Sequence, residues 1–369
     1  MSVTGAILDD GEVHVVDDIA IDEPRSGEAL VDLTTAGVCG SDLALLEGKF
    51  PFPTPAVLGH EATGVVRALG PDTVGPEPGT RVTLWMRPPC RRCRSCARGE
   101  AGLCEASGFM SAKGTLLDGR TSFTRGGEPL YRGFGIGAFA TQVVMPVNGL
   151  VEVPDEVSTD VAALVGCGVA TGAGAILNVA RPLPGDTVLV FGAGGVGLAA
   201  VMAAAAVGAG HVIVVDPAEH RRDEALELGA THAIPGGDRR EVRAQLTEAT
   251  GAGTVDVAVD AVGRPELIET GYSAIRQGGA VVAVGLQPPD AEVTLKAPVL
   301  PLSHKRILGC FMGGIDPQRD LPKLFAMHLA GRLPIDRLVS AHRPIAEAAE
   351  ALDDLANARG LRTLIDLTR

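Results

Sequence analysis

Four closely spaced cysteines are the residues of this chain that are most clearly able to do chemistry together. They are Cys90, Cys93, Cys96 and Cys104, in the pattern C-x2-C-x2-C-x7-C. Thiolates at this spacing can surround one tetrahedral Zn2+ with four sulfur ligands. Because such a closed site leaves no position for a substrate, the pattern predicts a structural zinc that holds a lobe together.

The alternative for these cysteines is a pair of disulfides in a secreted loop. The first ten residues, MSVTGAILDD, show no basic segment followed by an apolar one, so no export signal is visible. We therefore expect a cytoplasmic protein. Its reducing environment favours a metal site over two disulfides.

A glycine motif follows an apolar run in the second half of the chain. After Thr187–Phe191 come Gly192, Gly194 and Gly197, in the pattern G-x-G-x-x-G. In dinucleotide-binding folds the first glycine makes a tight turn and the second lets the backbone approach a pyrophosphate. The third lets the following helix pack on its strand. The motif predicts a nucleotide-binding site at the start of a helix.

An acidic residue supports this interpretation. Asp216 follows Gly197 by nineteen residues and ends the next predicted strand, where a carboxylate can accept the ribose hydroxyls of the adenosine. A carboxylate there repels a 2'-phosphate, which favours NAD over NADP. A simple helix-entry role is the alternative for Asp216, and Arg221 lies within reach of the same ribose.

Three further residues could form a catalytic metal set. Cys39 lies in the sequence VCGSD, His60 in GHE and Cys167 in GCG. Two cysteines and one histidine with an open fourth position are typical of catalytic zinc. Spacing alone does not join them, since a lone cysteine is usually a small buried hydrophobic residue.

Length and pattern predict an α/β protein of two domains. The chain has 369 residues, 46% of them hydrophobic, and 48 glycines. Short valine-rich runs bounded by glycine, proline and aspartate predict strands in the first part. These runs are Glu12–Val16, Glu28–Thr35, Thr63–Leu69, Arg81–Trp85 and Ala140–Pro146. The glycine-rich stretch 105–137 is predicted to be a long loop.

The second part alternates strands and helices, which predicts a parallel, doubly wound sheet. A helical segment is expected at Val161–Val179. The strands and helices that follow are Thr187–Phe191, Gly195–Ala209, His211–Asp216, Ala218–Leu228, His232–Pro235, Val255–Val262 and Ala280–Val284. The last residues, with a strand at Arg362–Leu367, are expected to return to the first domain.

Charge and hydropathy exclude some partners. The net charge of −13 argues against nucleic acid or an anionic membrane surface as a partner. No apolar run approaches the roughly 18 uncharged residues that a membrane span needs.

The motifs, taken in order, resemble those of the zinc-dependent medium-chain alcohol dehydrogenase family. They are GHEATG at 59–64, the four-cysteine loop, GCG at 166–168 and the glycine turn. The long segment after Cys104 resembles the long form of the family, similar to the glutathione-dependent formaldehyde dehydrogenases. The resemblance implies a GroES-like β-rich catalytic domain at 1–167, a Rossmann domain at 168–311 and a return to the catalytic domain at 312–369.

The resemblance also implies roles at the catalytic site. Cys39, His60 and Cys167 match the catalytic zinc ligands. Glu61 matches a carboxylate that can approach the metal, and Asp42 matches the acid that orients the histidine. Ser41 matches the hydroxyl that takes the substrate proton.

The cofactor roles follow in the same way. Thr171 and Val196 match neighbours of the nicotinamide, and Arg362 matches an arginine that contacts the pyrophosphate. Two positions depart from the family. Ala44 stands where relatives often carry a relay histidine, and Gly40 stands where many carry Arg or His against the pyrophosphate.

The expected pocket is apolar, which suits a medium-sized or aromatic alcohol. The resemblance implies that it is lined by Ser41, Met86, Phe109, Phe134 and Gln287, with Trp85 nearby. The acid near Lys49–Phe50 and the arginine near Gly108 of the glutathione-adduct enzymes are missing. A glutathione adduct is therefore not expected, while another thiol carrier stays open.

These observations predict a zinc enzyme that transfers a hydride between a hydrophobic or aromatic primary alcohol and NAD. The expected cofactors are two Zn2+ per chain and NAD, and the resemblance implies a homodimer. A polyol or amino-sugar dehydrogenase and a catalytically silent NAD-binding relative are the alternatives. Cys310 has no assigned role and is expected to be buried near a subunit interface.

Overall fold

The computed structural model describes residues 2–368, which divide into two compact units. The first unit contains the residues up to Cys167, then Asp316–Leu329 and the segment from Ile335 onward. The second contains Gly168–Ile315 and Ala330–Pro334. The first division therefore lies at the residue that the resemblance indicates. The chain returns to the first unit at Asp316, four residues later than the expected 312.

The first part of the chain is rich in short strands. Its strands are β1 Ser2–Asp9, β2 Glu12–Ile21, β3 Glu28–Gly37, β4 Ala56–Val57, β5 Ala62–Leu69, β6 Arg81–Leu84, β7 Phe123–Arg125, β8 Glu128–Arg132, β9 Gln142–Pro146 and β10 Leu150–Glu152. Its helices are α1 Gly40–Leu46, α2 Arg94–Ala97, α3 Glu105–Lys113 and α4 Thr159–Val165. Short 3-10 helices occupy Ala101–Leu103, Gly133–Gly135 and Val147–Gly149.

The second unit alternates strands and helices as expected. It opens with α5 Gly168–Gly174, which continues as a π-helix at Ala175–Ala180. Its strands are β11 Thr187–Phe191, β12 His211–Val215, β13 His232–Ile234, β14 Val255–Asp260, β15 Ile275–Ala283 and β16 Arg306–Gly309. Its other helices are α6 Gly195–Ala206, α7 Glu219–Glu227, α8 Arg239–Thr250, α9 Pro265–Ala274 and α10 Val299–Ser303, followed by a 3-10 turn at Met312–Gly314.

The last part of the chain completes the first unit. It contains α11 Pro317–Leu329, β17 Val339–Pro344, α12 Ala348–Ala356 and β18 Arg362–Asp366, with 3-10 turns at Ile335–Leu338 and Ile345–Glu347. Strand β18 pairs antiparallel with β3, with Leu364 opposite Gly37. The final strand therefore joins the sheet that contains β3.

Two β-structures build the first unit. A closed barrel has the strand order β1-β2-β7-β8-β4, and a seven-stranded sheet has the order β10-β6-β5-β3-β18-β17, with β9 also paired to β3. In the second unit, six parallel strands have the order β13-β12-β11-β14-β15-β16. The expected α/β class, with a β-rich part and a doubly wound part, is confirmed.

The centre of the parallel sheet is buried because β11, β12 and helix α6 are almost wholly apolar. Leu189 and Phe191 of β11, Ile213 of β12 and Val281 of β15 form part of one buried cluster. Helix α6 carries apolar residues on all sides, which is typical of a helix enclosed by protein. Eight of its residues, from Gly197 to Ala204, are buried.

Two expectations about local structure were wrong. The stretch 105–137 is not one loop, since it contains α3, β7 and β8. Strands β7 and β8 are too short to show a clear alternation of apolar and polar residues. The expected helix Val161–Val179 is interrupted at Gly166–Cys167. A side chain at Gly166 would meet the carbonyl oxygen of Leu84 at 2.8 Å, so the close packing of β6 requires the glycine there.

No single helix among the described residues is long and apolar enough to cross a membrane. One sharply bent pair, Thr159–Val165 with Gly168–Ala180, meets the length and composition test only when both helices are taken together.

Candidate metal centres and cofactor site

The first unit brings Cys39, His60 and Cys167 together, although 128 positions separate the first from the last. Cys39 precedes α1, His60 precedes β5, and Cys167 ends the segment after α4. Their ligand atoms all lie within 4.8 Å of one another. His60 and Cys167 are buried, and Cys39 is half-buried.

Asp42 organises this cluster from the first turn of α1. Its Oδ1 accepts a hydrogen bond from His60 Nδ1 at 3.0 Å, and its Oδ2 accepts one from the Cys39 amide at 3.2 Å. An ionised carboxylate can only accept, so Nδ1 carries a proton, and in the neutral ring Nε2 keeps its lone pair. Nε2 is buried and has no hydrogen-bond partner among the described residues.

The charges at the cluster depend on these contacts. The hydrogen bond from Cys167, together with His60, holds the pKa of Cys39 well below its usual range. The same contact and burial raise the pKa of Cys167. Burial alone would lower the pKa of His60, but the Asp42 carboxylate outweighs it and raises that pKa. Two cysteine sulfurs and one imidazole nitrogen without a hydrogen-bond partner among the described residues are a donor set that fits Zn2+, which binds cysteine as the thiolate.

Glu61 and Arg362 lie against the same cluster. Arg362 Nη2 donates to Glu61 Oε2 at 2.5 Å, and both side chains are buried. Burial raises the pKa of Glu61 to about 7, although Arg362 acts in the opposite direction. A side chain at Gly37 would meet the Glu61 carboxyl carbon at 3.0 Å, so the ion pair fills space that only glycine leaves open. The expected contact of Arg362 with a pyrophosphate stays a prediction.

Ser41 lies beside the cluster, on α1. Its Oγ is 4.0 Å from Cys39 Sγ, and the residue is half-buried. Ala44, one turn further along the helix, is buried and carries no group that could move a proton. Gly40 faces open space, since a side chain built there would meet no atom within 4 Å.

Aromatic residues lie on one side of the His60 ring. The ring of Phe134 meets the His60 ring edge-on with centroids 4.9 Å apart, and Phe52 lies 6.1 Å from Phe134. Trp85 and Met86 follow β6 and are both buried. Phe109 is 67% exposed, on the outer face of α3, with its ring near Lys113. The structure therefore does not bring it to this aromatic side, because the inner face of α3 carries Met110.

The four-cysteine cluster forms as the spacing indicates. The sulfur atoms of Cys90, Cys93, Cys96 and Cys104 lie within 4.8 Å of one another. The Cys90 amide donates to Cys104 Sγ at 3.3 Å, and the Cys93 amide donates to Cys90 Sγ at 3.4 Å. Burial would raise the pKa of Cys104, but backbone amides at Cys90 and Ser107 lower it to about 6.

All seven cysteines carry free thiols, so the disulfide alternative does not hold in this structure. Backbone N–H groups aimed at sulfur stabilise thiolates, which are the form that binds zinc. Cys310 belongs to neither cluster and is buried, and burial raises its pKa to about 11. Its expected place near a subunit interface stays a prediction.

In the second unit the glycine turn has the conformation that the motif predicts. Gly192 has φ +93°, and a side chain at Gly197 would lie 1.8 Å from the Gly192 carbonyl oxygen. At Gly194 a side chain would meet nothing within 4 Å, so the backbone there is open to a ligand. Gly194 precedes α6. The first amides of a helix have no acceptor within the helix, so they can bind an anion.

Asp216 ties this turn to the end of β12. Its Oδ2 accepts the Ala193 amide and its Oδ1 accepts the Ala218 amide, each at 2.9 Å. Each carboxylate oxygen keeps a further lone pair for a ribose hydroxyl. Arg221 is half-buried on α7, and its Nε has no hydrogen-bond partner among the described residues.

The remaining expected residues of this unit take separate places. Thr171 lies on α5 and Val196 on α6, and these helices touch so closely that a side chain at Gly172 would lie 2.0 Å from the Val196 carbonyl oxygen. Gln287 Nε2 donates to Asp260 Oδ2 at 3.1 Å. Its expected role as a pocket residue stays a prediction.

Sequence reasoning missed residues that act through packing. Gly37 makes room for the Glu61–Arg362 pair, and Phe52 extends the aromatic side of Phe134. Arg132, fully buried at the end of β8, was not singled out either. None of them has a spacing signal, because each acts on residues distant in the chain.

Comparison with known proteins identifies relatives along the whole chain. Residues 25–155 match the family model described as alcohol dehydrogenase GroES-like domain, and residues 195–330 match the one described as zinc-binding dehydrogenase. The NDMA-dependent alcohol dehydrogenase of Amycolatopsis methanolica is 35% identical over 99% of both chains. Alcohol dehydrogenase B of Mycobacterium tuberculosis is 32% identical over 100% of this chain and 99% of its own.

Solved structures give the same result. The crystal structure of an alcohol dehydrogenase zinc-binding domain protein from Burkholderia ambifaria has a TM-score of 0.93 and 34% identity, with both chains fully covered. That of benzyl alcohol dehydrogenase from Acinetobacter calcoaceticus has a TM-score of 0.93 and 29% identity, also with full coverage.

Proposed function

Because this chain belongs to the zinc-dependent medium-chain alcohol dehydrogenase family, we propose that it oxidises hydrophobic, above all aromatic, primary alcohols with NAD, or reduces the corresponding carbonyl compounds. Membership makes it a zinc-dependent oxidoreductase acting on alcohols. The cofactor, the substrate class and the number of zinc ions are our proposals.

One observation carries the proposal: His60 presents to two cysteine sulfurs a buried Nε2 that has no hydrogen-bond partner among residues 2–368, while Nδ1 donates to Asp42. Cys39, His60 and Cys167 would hold the catalytic zinc, which when bound acts as a Lewis acid on the substrate oxygen. The four-cysteine cluster would hold a second zinc with a structural role.

The residues around the cluster would accept the substrate proton and hold Glu61 in place. Ser41 offers a hydroxyl, 4.0 Å from Cys39 Sγ, that can take the proton of an alcohol. Because Ala44 cannot pass the proton on, water or another base must complete the relay. Arg362 holds the Glu61 carboxylate in place. Its positive charge also offsets the cost of burying the negative charge of Glu61.

The second unit supports NAD as the cofactor, which supplies the hydride-accepting nicotinamide. Gly194 leaves the backbone open for a pyrophosphate, and Asp216 holds a carboxylate where ribose hydroxyls are expected. The relative from Amycolatopsis methanolica is named as NDMA-dependent, so NDMA is the second electron acceptor to test.

The aromatic side chains near His60 support an aromatic substrate. Phe134 lies against His60 and Phe52 lies against Phe134, and neither offers a charged group for a polyol. The similarity to benzyl alcohol dehydrogenase makes benzyl alcohol the first probe. We also propose a homodimer, which light scattering during size-exclusion chromatography would test.

The test combines zinc content with turnover. Protein purified without chelator should contain two zinc ions per chain, one for each cluster, and should reduce NAD with benzyl alcohol. The variant H60A should lose one zinc and its activity, while C310A should keep both, because Cys310 lies outside the clusters. Two zinc ions with no turnover of benzyl alcohol, with NAD or NDMA, would overturn the proposed substrate class.

A further inference from the structure

We propose that Arg132 is a positioning residue of the active site: it holds the segment 133–139 in the conformation that sets Phe134 against His60 and so forms the aromatic side of the substrate pocket. This inference rests on the proposed function for its meaning in catalysis. Its structural part can be tested without any turnover.

Arg132 is a buried cation whose donors are all used. The residue is 0% exposed, and its Nε donates to the Gly135 carbonyl at 3.0 Å. The other nitrogens donate to Thr121 O, Ser122 Oγ and Val144 O, with Met145 Sδ at 3.7 Å. These five acceptors match the five N–H groups of a guanidinium. One arginine on β8 therefore joins β9 and the two residues before β7 to the turn that follows β8.

No carboxylate forms an ion pair with this cation among the described residues, and its burial lowers the pKa of Arg132 to about 9. A buried charge without a contacting partner of opposite sign is costly, and an apolar residue often serves packing as well. An arginine buried at such a cost is more easily explained by the segment that it holds in place than by stability alone.

What it fixes is an unusual turn. Phe134 has φ +49° and ψ +28°, the left-handed region that a bulky side chain rarely adopts. Such a conformation persists only where the surroundings impose it, and it is most frequent at functional sites. The carbonyl that Arg132 Nε binds belongs to Gly135, the next residue, so this contact acts directly on the turn.

Glycines on both sides of Phe134 let the turn sit close to its neighbours. A side chain at Gly133 would lie 2.9 Å from the Val57 carbonyl oxygen, and one at Gly135 would lie 3.0 Å from the end of Met110. Gly135 also has φ +84°. The turn is therefore pressed between β4 and α3, and Phe134 is the half-buried side chain that it presents.

The same segment reaches His60 in two ways. The Phe134 ring lies edge-on to the His60 ring at 4.9 Å. Further along, the Ala138 amide donates to Gly59 O and the Phe139 amide donates to Leu58 O, each at 2.8 Å. The segment that Arg132 anchors thus supports the backbone just before His60 and covers one edge of its ring.

The first test is hydrogen exchange of the zinc-containing protein. In R132M, the amides of 136–139, which bond within the turn or to Leu58 and Gly59, should exchange about tenfold faster or more. The control is R343M, which removes an arginine that binds Glu347 and Asp354 and does not contact the turn. Exchange at 136–139 that is unchanged in R132M, or equally raised in R343M, would overturn the proposal.

The second test is a double-mutant cycle on kcat/KM for benzyl alcohol. If Arg132 acts through Phe134, R132M should lower kcat/KM about tenfold in the wild-type background and less than about twofold in F134A. A purely structural arginine predicts the same loss in both backgrounds, and that result would overturn the proposal. An increase in KM with little change in kcat would indicate lost ground-state binding by the aromatic side.

Failure of the proposed function is distinguishable from failure of this inference. If wild-type protein does not turn over benzyl alcohol, the hydrogen-exchange result still decides whether Arg132 holds the segment. Should R132M not fold, R132K keeps the charge without the five-donor fork, and S122A removes one acceptor. Both are judged by exchange at 136–139 relative to R343M, with the same contradicting outcome.

Discussion

Asp42 and His60 face each other across 3.0 Å at a place where neither side chain has more than 1% of its surface exposed. The bond fixes which imidazole nitrogen points at the two cysteines. It also explains why an acid lies three residues after Cys39, because the other carboxylate oxygen accepts the Cys39 amide. One carboxylate thus positions two of the three expected zinc ligands.

Removal of this acceptor should weaken zinc binding at the three-residue cluster. In D42N the amide nitrogen can donate, so the His60 tautomer is no longer imposed, and affinity should fall about 10- to 100-fold. Competition with a chelator, followed by zinc content, measures this. D290N, at an exposed aspartate, is the control. Equal zinc retention in both variants would contradict the role given to Asp42.

Substitutions at the second and third glycines of the nucleotide turn should have different effects. In G197A the new side chain would lie 1.8 Å from the Gly192 carbonyl oxygen, so α6 must shift and the melting temperature should fall. In G194A the side chain meets no protein atom within 4 Å, so the fold should be unaffected.

NADH titration by fluorescence separates these effects. If the pyrophosphate approaches Gly194, G194A should bind NADH at least about tenfold more weakly despite its normal melting temperature. Unchanged NADH affinity in G194A would mean that the cofactor does not approach the backbone there.

The four-cysteine cluster should contribute stability and no chemistry. C96S removes one of four ligands, so the protein should lose one zinc per chain and melt at a lower temperature. Per remaining catalytic zinc, kcat should change little just after purification at low temperature. C310S is the matched control, and a C96S protein with full zinc and an unchanged melting temperature would show that the cluster binds no metal.

His342 should make stability depend on pH. Its Nδ1 lies 3.0 Å from Asp366 and its Nε2 lies 3.1 Å from Asp160, which together raise the pKa of His342 above its usual value. A raised folded-state pKa stabilises the protein below the unfolded pKa, near 6.5, and the gain is lost as pH rises through the folded value.

The variant H342Q should therefore melt lower than wild type at pH 6, and the difference should shrink at pH 9. Because the side chains are partly exposed and screened, the contribution at pH 6 should be about 1 kcal/mol or less. H14Q, at an exposed histidine of β2, is the control. A difference that does not vary with pH would rule out the ion pairs as its source.

Local spacing was enough to predict the parts of this protein that are local. The four cysteines lie within fifteen residues, so one loop can bring them to one ion, and the spacing itself predicted the cluster. The glycine turn and β11–α6 were predicted because each glycine has a steric task within a single turn. The alternation of strands and helices predicted the parallel sheet for the same reason.

The tertiary structure decided everything that depends on distant residues. Cys39, His60 and Cys167 were joined in advance only through a family resemblance, since no periodicity links positions so far apart. The Glu61–Arg362 pair forms because β18 lies next to β3. The order of strands in a sheet cannot be predicted from the sequence of either strand alone. The Arg132 guanidinium finds Val144 O, and Phe134 finds the His60 ring, only in the folded chain, and the exposure of Phe109 depends on how α3 packs. The sequence determined which groups could do chemistry, and the packing of remote segments determined which of them meet.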